Sequence, residues 1–253
     1  MAQQRGIIPL KGTIGNITFF KSKDGYLARE KGGVEGSRIA TDPAFQRTRE
    51  NGAEFGRAGK AGKLLRNSIK SLLQNAADSK CTSRLTKEIL KAIQADLVNP
   101  RGLRNLVNGK PEKLLGFEFN IAGKLDATLS APFITSMDRL TGTLTVNIPS
   151  FIPANMVNAP AGATHFRIHS AGAEIDFEQN TYTGAMDTSG EIAWDTTATV
   201  PLALTQTVTP NSTHALFLFL ATDFLQEVNG ILYPLKNGAF NSLAIVNVSG
   251  SVL

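Results

Sequence analysis

Apolar positions along the chain change period twice. From Ile14 to Phe20 and again at Tyr26–Ala28, short apolar stretches flank "KSKDG", where Asp24-Gly25 supplies the positive-φ residues of a tight turn. This predicts a β-hairpin arm over residues 1–41, too small to hold a core alone. Asp42-Pro43 then reads as a helix start, with Asp as N-cap and Pro at the first helical position. Leu65, Ile69, Leu72 and Leu73 fall on one helical face. After a break near "NAADSKCTS", Leu85, Ile89, Ile93 and Leu97 do the same, and Asn99-Pro100 is expected to end that helix. A short "RGLRNLV" segment is expected to add a turn or two. Residues 42–114 thus read as a basic helical hairpin.

Past Pro111 the period becomes two. Leu144, Val146 and Ile148 alternate with Thr143, Thr145 and Asn147, the pattern of a strand wet on one face. "ALFLFLA", residues 215–221, is apolar throughout, as a central strand covered on both faces would be. "LAIVNVSGSVL" reads as a further strand. The expected fold is α+β, with residues 115–253 forming an antiparallel β-sandwich, immunoglobulin-like or jelly-roll-like.

Charge sharpens this division. Residues 1–116 carry 22 Lys+Arg against 10 Asp+Glu, a net of +12, and residues 117–253 carry 4 against 11, a net of −7. Such a chain can meet polyanions through its first half, or copies of itself with unlike halves in contact. The apolar fraction of 42% fits a folded chain, and the one cysteine, Cys81, rules out an intramolecular disulfide and cysteine-rich zinc sites. No stretch has the pattern of a secretory signal or a membrane span, so the expected location is cytoplasmic by default, or outside the cell after lysis or dedicated export.

"ENGAEFGRAGKAGKLLR", residues 50–66, invites comparison with a phosphate loop. The match fails: Leu64 follows Gly62-Lys63 where Ser or Thr is needed, the upstream glycine is misplaced, and the context is helical. On a helix, Gly52, Gly56 and Gly59 fall within about 60° of one another, with Gly62 beside them. Each glycine costs a helix roughly 1 kcal/mol relative to Ala, so a backbone packed against the stripe is expected to compensate. That backbone belongs to this chain, to another subunit or to a nucleic acid. Arg47, Arg49, Arg57, Lys60, Lys63 and Arg66 form the candidate basic surface, going right round the helix axis with few aromatic neighbours.

His165 and His169 lie four apart with Glu174, Asp176 and Glu178 soon after. A hairpin turn at "SAGA", 170–173, would set His169 opposite Glu174, Arg167 opposite Asp176 and His165 opposite Glu178, a cross-strand charge ladder in preference to a metal site. Cys81 has no histidine nearby in sequence and no G-x-S-x-G elbow occurs, so no catalytic residue, metal or cofactor is assigned and a non-enzymatic role is expected.

The segments "KGTIGNITFFKSKDGYLAREKGG", "TDPAFQRTRENGAEFGRAGKAGKLLR" and "AGATHFRIHSAGAEIDFE" resemble a group of Bacteroidota proteins of similar length. That resemblance implies the same order of parts, and it brings no activity or site residue with it. The expectation is a structural protein that assembles with itself into a ring, tube, fibre or phage-like particle. Its interface would use Gly52, Gly56, Gly59, Phe19, Phe20 and Tyr26. A nucleic-acid-binding protein using the basic helices, and an enzyme or carbohydrate-binding sandwich with a loop-built site, are the alternatives.

Overall fold

The computed structural model describes residues 2–4, 8–22, 25–30, 32–235 and 240–252. The chain divides into two units, Met1–Arg49 and Glu50–Leu253.

In the first unit, β1 (Ala2–Gln3), β2 (Gly12–Ile14), β3 (Ile17–Ser22) and β4 (Gly25–Glu30) form a four-stranded antiparallel sheet in the order β1-β4-β3-β2. Ser22 pairs with Gly25, so β3 and β4 make the expected hairpin. Gly25 has the expected positive φ of 104°, while Asp24 lies outside the described residues. Gly15, at φ 56°, turns β2 into β3, a second hairpin that the apolar stretch from Ile14 to Phe20 concealed. α1 (Gly36–Thr41) follows. Asp42 then caps a 3-10 turn at Pro43–Phe45, its carboxylate accepting from Ala44 N at 2.9 Å, and α2 (Gln46–Ser68) continues from it.

In the second unit α2, α3 (Lys70–Leu73) and α4 (Cys81–Gln94) form the helical layer. Leu65, Ile69, Leu72, Leu85, Ile89 and Ile93 are buried, as their spacing requires. Leu97 is not: α4 stops at Gln94 and Leu97 is 90% exposed. The stop comes from Asp96, not from Asn99-Pro100. Its buried carboxylate accepts from the backbone N–H of Val98, Asn99 and Asn105, which bends the chain away from the helix axis. "RGLRNLV" accordingly forms turns and no further helix.

The β-rich half is antiparallel throughout. β5 (Ile134–Asp138) and β6 (Thr143–Ile148) join β10 (Leu202–Thr207) in a three-stranded sheet. β7 (His165–Asp176), β8 (Thr181–Thr188), β9 (Ile192–Ala193), β11 (Ala215–Val228), β12 (Ile231–Pro234) and β13 (Ser242–Ser249) make a six-stranded one. β11 is central, with β7 on one side and β12 and β13 on the other. The protein is therefore α+β, with two antiparallel sheets facing each other over Leu144, Val146, Leu204, Phe166, Leu218 and Phe224.

The other face of the six-stranded sheet is covered by the helices. Phe217, Phe219 and Leu243 share a core with Leu65, Leu85 and Ile89, so the helical and β-rich segments form one body. This accounts for "ALFLFLA": Ala215–Leu225 is buried at every position because both faces are covered. The segment 116–119 pairs outside β13, through Gly116 N to Ile245 O and Phe119 N to Leu243 O, both 2.8 Å. Phe117 and Phe119 thereby point into the helical core.

The histidine ladder is corrected by the structure. "SAGA" is the middle of the unbroken 12-residue strand β7, not a turn. A Cβ on Gly172 would come within 3.1 Å of Gln206 Cβ on the facing sheet, so the small residues serve close sheet packing. His169 and Arg167 consequently lie along one strand, and their acidic partner comes from β11.

Candidate assembly surfaces and polar clusters

Helix α2 has two unlike sides. Glu54, Ala58, Ala61 and Leu65 are buried on one. Glu54 accepts from Gly102 N at 2.9 Å, and Arg57 donates to Gly102 O and Arg104 O, which fastens the 100–104 loop to the helix. Gly62 lies on this side too: a Cβ there would meet Ile89 Cδ1 at 3.3 Å, so this glycine sits at a tight α2–α4 crossing.

The other side carries Gly52, Gly56 and Gly59, and nothing in the second unit lies within 4 Å of where their Cβ atoms would be. Phe55, on the flank of this stripe, is 59% exposed. The four glycines of residues 50–66 thus separate: Gly62 is explained within the chain, and the other three form an open groove beside an exposed ring.

The basic candidates disperse in the same way. Arg47, Lys60 and Lys63 are exposed. Arg49 donates to the carbonyls of Ile39 and Asp42, Arg57 is engaged as above, and Arg66 is half-buried with Nη1 lacking a hydrogen-bond partner. Half of the set is committed inside the fold.

In the first unit no described residue is buried. Strand register places Phe19 and Tyr26 on one face and Phe20 with Leu27 on the other. Their cover is local: Lys21 Nζ lies 5.5 Å from the Tyr26 ring centre, and the Arg29 guanidinium lies 5.4 Å from that of Phe20. Phe19, Phe20 and Tyr26 remain half-buried, and Ile14 and Ile17 are exposed.

Two polar clusters escaped sequence reasoning. On the helix-facing side of the central sheet, the Asp223 carboxylate accepts from Arg167 Nη2 at 2.6 Å and Nε at 3.1 Å, and contacts His169 Nε2 at 3.1 Å. Burial would push this carboxyl up, but hydrogen bonds from His169 and Arg167 outweigh it and hold it below its usual range. With Ser71, Asn75 and Met186 the three side chains line a cavity of about 200 Å³. Further along β7, Glu174 accepts from Ser212 Oγ at 2.6 Å and His214 Nε2 lies 3.8 Å from Asp176, so two of the three acidic residues of the expected ladder find other partners. Among the described residues, no group of three or more His, Cys, Asp or Glu could hold a metal.

The second cluster surrounds Glu118, whose alternation with Phe117 and Phe119 in "GFEFN" was the available signal. It lines a bowl of about 470 Å³ between α4, the turn at Pro111–Leu114 and the 121–124 loop. Burial pushes its carboxyl up to about 7, against the Leu125 N–H it accepts. Unfolded, it titrates near the ordinary glutamate value, so the folded state binds the extra proton and Glu118 lowers stability as pH rises from about 4.5 to about 7. Glu118→Gln keeps the acceptor for Leu125. It is expected to match the parent at pH 4 and to exceed it by on the order of 1–3 kcal/mol at pH 8, read by urea unfolding at both pH values. Equal stabilities at pH 8 would refute this.

Cys81 opens α4 and is buried, and burial pushes its thiol up, away from the reactive range. Its surroundings are the helical core, not the polar connection its neighbours in sequence suggested.

Comparison with protein-family models, curated proteins and solved structures returns no match. What the chain does must therefore be argued from these surfaces. Among the described residues, no helix is long and apolar enough to cross a membrane.

Proposed function

We propose that this is a non-enzymatic structural protein that assembles with copies of itself. The observation carrying this reading is the first unit: a four-stranded sheet, apolar on both faces, in which no described residue is buried. Such a sheet gains little from apolar burial by itself, and a neighbour that covers a face supplies what is missing. The open glycine groove of α2 with its exposed Phe55 supports the same reading, since close backbone approach by a second copy would offset the helix-propensity cost. The charge asymmetry of the chain favours contacts between unlike surfaces, which propagate into rings or filaments.

Deleting residues 1–33 tests this directly. The second unit has its own core, so the shortened protein is expected to keep its cooperative melt while losing association in light scattering at tens of micromolar. A full-length protein that is strictly monomeric at that concentration would defeat the proposal.

Nucleic acid is the lesser alternative, because Arg49 and Arg57 are spent on backbone carbonyls. Its signature would be co-purifying nucleic acid released by high salt.

A further inference from the structure

The bowl around Glu118 has the size of a small-molecule cleft, and its own chain leaves much of its charge unused. Three separate segments line it: Lys87 comes from α4, Lys113 and Leu115 from the turn at Pro111–Leu114 and its exit, and Ile121 and Lys124 from the 121–124 loop. Arg84, the fourth cation, is already spent. It is bound to Asp78, donates to the carbonyls of Glu118 and Phe119, and lies 5.2 Å from the Phe117 ring centre. Of the two carboxylates in the lining, Glu88 is matched by Lys91 at 2.8 Å and Glu118 accepts from the Leu125 N–H. Lys87, Lys113 and Lys124 are exposed, and among the described residues none of them has a carboxylate within 4 Å. With four cations against two carboxylates the bowl is positive whatever the protonation of Glu118.

Two features select what would sit there. Because Arg84 is engaged, no guanidinium fork remains for a planar carboxylate. What remains is three ammonium point charges from three directions, which suits a tetrahedral phosphate carrying close to two negative charges. Leu115 and Ile121, 57% and 52% exposed, offer apolar surface that inorganic phosphate would leave wet, so the ligand has an apolar body as well as a charged head. A dry cavity of about 150 Å³ accepts benzene, so a bowl of about 470 Å³ has room for a body of roughly fifteen heavy atoms.

The geometry points to a binding site for a soluble phosphate monoester with a compact apolar body, its head among Lys87, Lys113 and Lys124 and its body against Leu115 and Ile121. The site does not depend on the self-assembly reading.

Titration calorimetry on the full chain tests it, with octyl phosphate as the probe, inorganic phosphate and octanol as its two halves, and circular dichroism as the check on folding. Octyl phosphate is expected to bind once per chain, and each half at least about tenfold more weakly. Lys87→Ala/Lys113→Ala/Lys124→Ala should lower octyl phosphate affinity at least about tenfold, while Lys60→Ala/Lys63→Ala, which removes two exposed lysines of α2, should leave it unchanged. Leu115→Ser/Ile121→Ser should bring octyl phosphate down to the level of inorganic phosphate. Absence of octyl phosphate binding, equal affinity for inorganic phosphate, or equal losses in the two lysine variants would overturn the site. Binding confined to vesicles that carry phosphatidic acid, with none to soluble octyl phosphate, would overturn it too, by showing a charged surface and not a cleft.

Discussion

Replacing Asp223 with alanine is expected to lower the unfolding free energy by about 3 kcal/mol at pH 7, the low end of what a buried charge losing its partner costs. The carboxylate is 13% exposed and holds both a bidentate Arg167 and the His169 ring, so its loss leaves a guanidinium that is itself only 27% exposed with the half-exposed Glu191, 3.7 Å away, as its remaining carboxylate. Asp223→Asn keeps the volume and one acceptor, and is expected to cost less. The pH dependence follows from the lowered carboxyl: a depressed folded pKa contributes stability above the unfolded value and loses it as the pH falls through the folded one. The gap between parent and Asp223→Ala should therefore narrow in acid. Urea unfolding at pH 7 and pH 3 reads both effects. A cost below about 0.5 kcal/mol at pH 7 would mean that Arg167 and His169 find water as readily as they find Asp223.

The second large effect separates folding from assembly. Gly56→Leu introduces a strong helix former at an open position, so the isolated protein should become more stable, by up to about 1 kcal/mol. The same side chain fills the groove beside Phe55, and association should fall at least about tenfold. Gly62→Ala is the contrast: its methyl meets Ile89 Cδ1 at 3.3 Å, so it is expected to disturb the α2–α4 crossing, with association affected only through stability. Thermal melts at low concentration and light scattering at high concentration measure the two quantities separately. Normal assembly by Gly56→Leu would show that the stripe faces solvent in the assembled state.

Much of the layer structure was legible because burial imposes a period. Leu65, Ile69 and Leu72 needed only a helical repeat, and Leu144, Val146 and Ile148 only a pleat. Asp42-Pro43 announced its cap through local chemistry. What stayed hidden was decided at long range. Gly172 looked like a turn because glycine serves both turns and close packing, and only the facing Gln206 distinguishes them. Asp223 is 54 residues from His169 and 56 from Arg167, and nothing in their local pattern states that β11 pairs with β7 in that register. The glycine stripe was legible as a helix face, while its division between Gly62 and the open three required knowing where α4 crosses.

The pairing of segment 116–119 with β13 also sets an order of events during synthesis. Phe119 N bonds Leu243 O, and Asn120 Nδ2 bonds Asn241 O at 2.9 Å across 121 residues. The helical layer cannot close over Phe117 and Phe119 until the chain has been made past residue 245. Meanwhile the wholly apolar "ALFLFLA" has already emerged, with β7 available on one side and nothing yet on the other. A ribosome carrying this chain therefore displays a half-paired, sticky strand for the time needed to add about 25 residues, on the order of a few seconds. Slowing translation between residues 222 and 245 should raise the fraction lost to aggregation, and a holdase should recover it.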